Sequence, residues 1–260
     1  MMRPHSLRVC CNPRAPRQAA IPELAWRASW HIMGWQPVVI SLMAVFGLLI
    51  GSHLDANMRD GIFEPLRIIG GVIPLAMALQ AAFAFSPRDE SALEVILAAP
   101  RRLVWLLVER LGVVMIGQVV VAVIGMLVAF VLKPGDPFEA MARWGSPAVF
   151  LVGFSVFTTQ VTQRGAMSTV AAMVLWGAFL FLGDFFLGLS HPFWPVKLIM
   201  ENVWLIHPYL EPGTVSTPDY ITNRLVLIGA GLAFLALAIR HLGNVERLLL
   251  GQSAVRVPKE

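Results

Sequence analysis

The chain has 260 residues, of which 57% are hydrophobic and 14% carry a charged side chain. Soluble domains carry about 25% charged residues, so this composition excludes an ordinary water-soluble fold and predicts an integral membrane protein. The net charge of +4 would suit a nucleic-acid ligand in a soluble protein. In a membrane chain, however, basic residues collect beside the cytoplasmic leaflet, so no nucleic-acid partner is expected.

The N-terminal region is too polar to enter a membrane. Residues 1–20 contain four arginines and lack the apolar stretch of a signal peptide, which predicts a basic cytoplasmic tail. Residues 21–35 place Trp26 and Trp30 on one helical face and Arg27 on another. Because tryptophan favours the headgroup depth, this pattern predicts an amphipathic helix lying flat at the membrane interface.

Six apolar segments follow within residues 36–245 and predict an all-α, polytopic domain of six transmembrane helices. The fourth segment is expected to begin at Ser146 and Pro147, an N-cap residue followed by a first-turn proline, with residues 133–145 as the preceding loop. The six segments cover residues 37–52, 68–85, 111–132, 146–163, 166–189 and 225–242.

The basic residues indicate the side of the membrane on which each loop lies. With the N-terminus in the cytoplasm, 14 of the 20 lysines and arginines fall in cytoplasmic segments. The other six fall in outer loops: Arg59, Arg67, Lys133, Arg143, Lys197 and Arg224. Translocation of Lys and Arg is disfavoured, so both termini are predicted to be cytoplasmic, with residues 246–260 as a C-terminal tail.

The chain lacks the motifs of a nucleotide-hydrolysing or metal-dependent enzyme. None of its three lysines is followed by Ser or Thr, so it contains no phosphate-binding loop. Its six histidines form no His-Glu-x-x-His helix, and its two cysteines, Cys10 and Cys11, are adjacent rather than spaced as zinc ligands. We therefore expect no catalytic residue, metal or cofactor in this chain.

Polar residues within the apolar segments allow more than one interpretation. Asp184 lies in the fifth segment, where ionisable side chains are costly and commonly functional, but it could also hydrogen-bond the nearby outer loop. Gln80, Gln118 and Gln160 could line a polar pathway, although hydrogen bonding between helices is the favoured interpretation.

The residues between the second and third apolar segments carry the most information about function. Ser86 as cap, Pro87 at the first helical position and Asp89 in the first turn predict the start of a short helix. The helix should end before Pro100, because a proline disfavours helical geometry at the preceding residue.

This short helix, predicted over residues 88–99, is amphipathic. Its charged and apolar side chains separate onto two faces, with Glu90 and Glu94 on one and Leu93, Ile96 and Leu97 on the other. Such a helix on the cytoplasmic side either docks against a partner or rests on the membrane surface, and composition alone leaves both alternatives open.

The order of these features resembles the membrane subunits of type-2 ATP-binding-cassette (ABC) transporters. The matching loop has the form acidic-x3-Glu-x-Ile/Leu-Leu-Ala-x-Pro-Arg-Arg, and it is followed by a run at residues 105–110 and a terminal Glu-Arg-Leu-Leu. The matching residues in the loop are Glu90, Glu94, Leu97 and Pro100. In that family this loop contains a coupling helix, which sits in a cleft of a separate ATPase subunit.

The resemblance implies a permease subunit of an ATP-driven exporter in the cell membrane of a bacterium or archaeon. The partners would be ATPase subunits, which carry ATP and magnesium, a second permease subunit that is identical or paralogous, and membrane lipid. The family also has an outer re-entrant helical hairpin, which residues 190–223 resemble. The implied ATPase interface consists of Arg88, Asp89, Glu90, Leu93, Glu94, Ile96, Leu97, Pro100 and Arg101.

Two other classes of function remain open from the residues alone. An ATP-independent secondary transporter or channel would work through Asp184 and the glutamines of the apolar segments. An intramembrane enzyme or assembly factor would need a catalytic constellation that the sequence does not display. The spans are made chiefly of Leu, Val, Ala and Phe, and they do not indicate a cargo.

Overall fold

The structure, a computed structural model, describes residues 36–54, 65–84, 86, 103–132, 136–188, 207 and 216–255. Within these residues every regular element is an α-helix, and no strand occurs. The six helices are α1 (Gln36–Leu54), α2 (Pro65–Ala84), α3 (Leu103–Leu132), α4 (Pro137–Thr162), α5 (Gly165–Gly188) and α6 (Thr217–Val255). The predicted tail and interfacial helix at residues 1–35 lie outside the described residues, as does most of the predicted hairpin at residues 190–223.

Each predicted span overlaps one of these helices. Three stretches are long and apolar enough to cross a membrane, namely Val104–Val131, Pro137–Thr162 and Thr217–Gly243. The other helices contain shorter apolar stretches, which are Val38–Gly51, Ile68–Phe83 and Gly165–Phe179. The all-α class of a membrane protein is thus supported by three candidate spans, while six spans stay a prediction.

The predicted start of the fourth span at Ser146 is wrong, because α4 begins at Pro137. Asp136 is the N-cap residue, and its carboxylate accepts a hydrogen bond of 2.9 Å from the Phe138 N–H. The Asp-Pro pair supplies the same cap-and-proline signal as the later Ser-Pro pair, and it comes first in the chain. Most of the predicted loop at residues 133–145 is therefore helix.

The later Ser-Pro pair lies inside α4, where it is accommodated by local contacts. The Ser146 Oγ donates to the Ala142 carbonyl oxygen at 2.8 Å, a bond along its own helix. Pro147 has no N–H to donate to the Arg143 carbonyl. Gly70 of α2 packs beside that carbonyl, and a Cβ on Gly70 would lie 3.7 Å from its oxygen. Helix α2 therefore lies against the backbone of α4 beside the proline.

Two helices are longer than the apolar pattern predicts. α3 begins at Leu103, so Glu109 and Arg110 are helical residues. α6 has 39 residues, or about 58 Å at 1.5 Å per residue, and it continues to Val255 beyond its apolar stretch, which ends at Gly243. Charged residues interrupt the apolar pattern without ending the helix, and for this reason hydrophobicity underestimates both lengths.

Helices α2, α4 and α6 run in the same direction. Hydrogen bonds between α2 and α4 keep a constant offset of 77 residues along both helices. Gly231 of α6 meets Val149 of α4, and Phe234 meets Phe157 further along. The three helices therefore place their C-terminal ends at one end of the bundle.

The remaining helices run in the opposite direction. A two-residue turn joins α4 to α5. Trp144, early in α4, donates to the Met126 sulfur, late in α3, at 3.2 Å, so these two helices are antiparallel.

The direction of α1 follows from its contacts with α3. Gln118 contacts Ser41, and Gly125 lies against Val45 further along, so α1 is parallel to α3. The N-terminal ends of α3 and α5 thus lie beside the C-terminal ends of α2, α4 and α6. We call this end of the bundle the coupling end, after the coupling helix that the sequence predicts between α2 and α3.

α4 is the central helix and packs on α2, α5 and α6. In the most apolar part of α4, 61% of the residues are buried, whereas the corresponding share in α6 is 22%. α6 therefore lies at the periphery of the bundle. α4 and α6 approach most closely at two glycines: a Cβ on Gly153 would lie 2.2 Å from the Gly231 carbonyl oxygen. Phe234 of α6 packs beside this crossing, with its ring centroid 5.6 to 6.2 Å from those of Phe150, Phe154 and Phe157 of α4.

The outer surface of the bundle is apolar along much of its length. α3 exposes a row of large aliphatic side chains, which are Val119, Val120, Val123, Ile124, Leu127 and Val131. Soluble monomers rarely expose continuous apolar patches of this kind. The row is suited to contact with lipid, in agreement with the composition of the chain.

Candidate functional site

The predicted ATPase interface lies outside the described residues, but both of its flanks are described. The interface comprises Arg88, Asp89, Glu90, Leu93, Glu94, Ile96, Leu97, Pro100 and Arg101. On its N-terminal side are the end of α2 and Ser86, and on its C-terminal side is the start of α3 at Leu103. Asp184 belongs to the last turns of α5, and its side chain is likewise outside the described part.

Ser86 connects the end of α2 to the turn between α4 and α5. Its Oγ accepts a hydrogen bond of 2.9 Å from the Gly165 N–H and donates one of 3.4 Å to the Gln163 carbonyl oxygen. Ser86 is buried. The hydroxyl therefore pairs with two backbone groups of the turn, one at the end of α4 and one at the start of α5.

The turn itself has a constrained backbone. Gln163 adopts a left-handed conformation with φ of 58°, and its N–H donates to the Thr159 carbonyl oxygen at 2.7 Å, which closes the C-terminus of α4. Gly165 packs directly on α2, where an added Cβ would lie 2.8 Å from the Phe83 ring and 3.0 Å from the Ala82 carbonyl oxygen. A larger residue at position 165 would push the turn away from α2.

Hydroxyl groups continue this connection into the bundle. Ser155 Oγ donates to the Ala78 carbonyl oxygen at 2.7 Å, and Thr159 Oγ1 donates to the Ala82 carbonyl oxygen at 3.2 Å. With the Ser86 bond to the turn, these form a series of three hydrogen bonds at intervals of four residues, which we call the hydroxyl ladder. The ladder fixes the axial position of α2 against α4.

α5 joins the same network from the other side. Ser168 Oγ donates to the Ser155 carbonyl oxygen at 2.6 Å. Trp176 Nε1 donates to the Gly71 carbonyl oxygen at 3.0 Å, one turn before Pro74 in α2. Three helices that meet at the coupling end are thus held by side-chain bonds to main-chain oxygens, and apolar contacts alone would not fix their register.

The start of α3 forms the other flank of the predicted interface. Leu107 is buried in the main core, whereas Trp105 on the same turn is 66% exposed. Arg110 is buried although it lies close to the loop that the sequence predicts to be cytoplasmic. The run at residues 105–110 is therefore the first part of a helix that enters the core directly.

A second polar cluster lies at the end of the bundle opposite the coupling end. Asn223 Nδ2 donates to the His207 carbonyl oxygen at 3.1 Å, and the His207 ring packs edge-on against Phe179. The Arg224 guanidinium lies 4.5 Å from the Tyr220 ring centroid, a cation–π contact. The expected location of Arg224 in an outer loop is wrong, because it is a buried residue of α6. The cluster anchors the start of α6 to α5 through His207.

The favoured interpretation of the glutamines is confirmed for one of them. Gln118 Nε2 donates to Ser41 Oγ at 2.9 Å, and this buried bond links α3 to α1. Gln160 is also buried, in α4, while Gln80 Nε2 has no hydrogen-bond partner among the described residues. Within the same residues, no group of three or more His, Cys, Asp or Glu side chains could hold a metal ion.

Comparison with known proteins does not assign the chain to a family. No family model, curated protein or solved structure matches the chain. Its function must therefore be inferred from its own residues.

Sequence reasoning missed the residues of the hydroxyl ladder. Ser155 and Thr159 are spaced by one helical turn in an apolar segment, a signal that predicts a polar stripe on one face. The pattern gives no indication of the partner, because the accepting carbonyls belong to the backbone of Ala78 and Ala82 far away in the chain.

Proposed function

We propose that the chain is the membrane-spanning permease subunit of an ATP-driven exporter of the type-2 ABC class. The observation that carries the proposal is the amphipathic pattern at residues 88–99 with its Pro-Arg-Arg ending, between two apolar segments of a membrane protein. The lack of a phosphate-binding loop in the sequence adds that ATP would be hydrolysed by a separate subunit.

The arrangement of the helix ends supports this proposal. Ser86 and Leu103, which flank the segment, lie at the same end of the bundle as the α4–α5 turn and the C-terminal part of α6. A subunit docked on this segment would therefore be adjacent to the ends of five helices. From this position, a movement of the docked subunit could displace most helices of the bundle.

In this mechanism the chain breaks no bond and contributes two alternative packings of its helices. Leu93, Ile96 and Leu97 would be the apolar anchors, with Glu90 and Glu94 as polar contacts. ATP binding can change the populations only if the docked segment contacts the ATPase differently in the two packings. To move the ratio from 1:99 to 99:1, those contacts must differ by about 5.5 kcal/mol.

Co-purification is the first test of the proposal. The full chain, extracted from its native membrane under mild conditions, should retain a protein that contains a Gly-Lys-Ser/Thr phosphate-binding loop and hydrolyses ATP. Full transport by the lone chain in vesicles would instead support an ATP-independent transporter or channel that works through Asp184. Gln118 would be poorly suited to that alternative, because its amide donates to Ser41.

A double substitution tests the segment itself. Ile96→Asp with Leu97→Asp should abolish the binding of the ATPase subunit and its stimulation, while membrane insertion persists. The control is Thr217→Asp with Pro218→Asp, which adds the same two charges at exposed positions in the first turn of α6, where a carboxylate favours the helix. Undiminished ATPase binding by the Ile96→Asp, Leu97→Asp protein would count against the assignment of residues 88–99.

A further inference from the structure

We propose that Ser86 is a positioning residue that transmits movement of the predicted ATPase-docking segment to α4 and α5. This inference rests on the proposed function, because it assigns a transmission role to a contact at the base of that segment. Ser86 itself was predicted only as the N-cap of the segment.

The Ser86 contact lies close to the segment along the chain. Ser86 is two residues from Arg88, and two residues of extended chain span at most about 7 Å. A displacement that would carry Arg88 farther than this from Ser86 must therefore move Ser86. The hydroxyl of Ser86 is bonded to both sides of the α4–α5 turn, to Gln163 and Gly165, so the turn must follow or both hydrogen bonds must break.

The α4–α5 turn has little conformational freedom, so it cannot absorb such a displacement. It consists of two residues, and Gln163 already has the left-handed backbone of a helix C-cap. Gly165 lies against Phe83 and Ala82 without room for a Cβ. Movement of the turn is therefore passed to α4, and from α4 to α6 through the crossing at Gly153.

A hydroxyl deletion with a matched control tests the contact. Ser86→Ala removes the bonds to the turn, whereas Thr169→Ala removes a hydroxyl whose one bond among the described residues is to the Gly165 carbonyl oxygen in its own helix, at 3.0 Å. In the full chain in lipid nanodiscs, we expect the Gly165 amide to exchange its hydrogen about twofold to tenfold faster in Ser86→Ala than in the wild type or Thr169→Ala. Equal exchange in all three proteins would overturn the inference.

The transmission role is tested in the complex with the co-purified ATPase subunit. Addition of ATP and vanadate should change amide exchange at residues 163–165 in the wild type and in Thr169→Ala, and this change should be lost in Ser86→Ala. Gly165→Ala should push the turn away from α2 and so break the contact with Ser86. It should therefore also abolish the change in amide exchange on addition of ATP and vanadate. An undiminished change in both Ser86→Ala and Gly165→Ala would overturn the inference.

The two levels of the proposal fail in different ways. If no ATPase subunit is retained by the wild-type chain, the proposed function is wrong, and the transmission role falls with it, although faster exchange in Ser86→Ala would still establish the contact. If the subunit is retained and responds to ATP but the turn does not, the proposed function stands and the role of Ser86 is wrong.

Discussion

Replacement of Gly231 by alanine should lower the free energy of unfolding, because the new methyl group would meet the backbone of α4. A Cβ at this position lies 2.4 Å from the Val149 carbonyl oxygen and 2.8 Å from the Phe150 nitrogen, whereas ordinary contacts begin near 3.4 Å. Backbone atoms cannot rotate away as a side chain can, so α4 and α6 must separate locally by about 1 Å. Overpacking of this kind costs about 1–3 kcal/mol.

Gly229 provides the matched control two positions earlier in α6. Its surroundings contain nothing within 4 Å of a Cβ, and it is exposed. Gly229→Ala should therefore leave stability unchanged or raise it, since alanine is the better helix former by roughly 0.8–1 kcal/mol. Reversible unfolding by SDS in mixed bicelles, followed by tryptophan fluorescence, would measure both variants on the same scale.

Gly153 of α4 faces Gly231 across the helix crossing, so a double variant gives a more specific test of this contact. Gly153→Ala alone should also destabilise, because its Cβ would lie 2.2 Å from the Gly231 carbonyl oxygen. The double variant should lose less than the sum of the two single losses, because the first methyl group already separates the helices. If Gly231→Ala proved as stable as Gly229→Ala, the close crossing of α4 and α6 would be refuted.

Hydrogen bonds between helices lead to two further expectations in the same unfolding assay. Ser41→Ala should cost about 1 kcal/mol because it leaves the buried Gln118 amide without its acceptor, and adding Gln118→Leu should recover part of the loss. If adding Gln118→Leu increased the loss, the Ser41 contact would not be the reason for it. Trp176→Phe should cost about 0.5–1.5 kcal/mol because the Gly71 carbonyl oxygen loses its side-chain donor, whereas Trp105→Phe at an exposed site should cost nothing. Equal stability of the two tryptophan variants would contradict the role of the indole.

The positions of the six helices could be predicted from apolarity alone. In lipid a helix must carry a nearly continuous apolar stretch, and six such stretches stand out between residues 36 and 245. The interhelical role of Gln118 could be predicted for a related reason, since a buried amide in an apolar segment needs a hydrogen-bond partner.

The helix ends and the partners of polar residues could not be predicted in the same way. The Asp-Pro start of α4 lies in a charged stretch, where an apolar pattern has no signal, and the Ser-Pro pair inside the helix imitates a start. Arg224 was assigned to a loop because it is charged. Its burial depends on the face of Tyr220 and on packing that sequence spacing does not display.

The candidate site was predicted only as a segment. The pattern at residues 88–99 predicts an amphipathic helix with Ser86 as its cap, and the resemblance to ABC permease subunits implies that this helix docks on a partner. The described bonds of Ser86 to Gln163 and Gly165 involve a turn almost eighty positions away, and such contacts follow from the parallel arrangement of α2 and α4 rather than from local sequence.

The hydroxyl ladder limits how α2 and α4 can move past each other. Its bonds recur every four residues on both helices, so a slide of less than one turn would leave every hydroxyl between two carbonyls. A slide of four residues, about 6 Å at 1.5 Å per residue, would bring Ser155 opposite the Ala82 carbonyl with which Thr159 now bonds. The two helices therefore favour discrete axial positions relative to each other. In smaller conformational changes α2 and α4 must move together as a rigid unit.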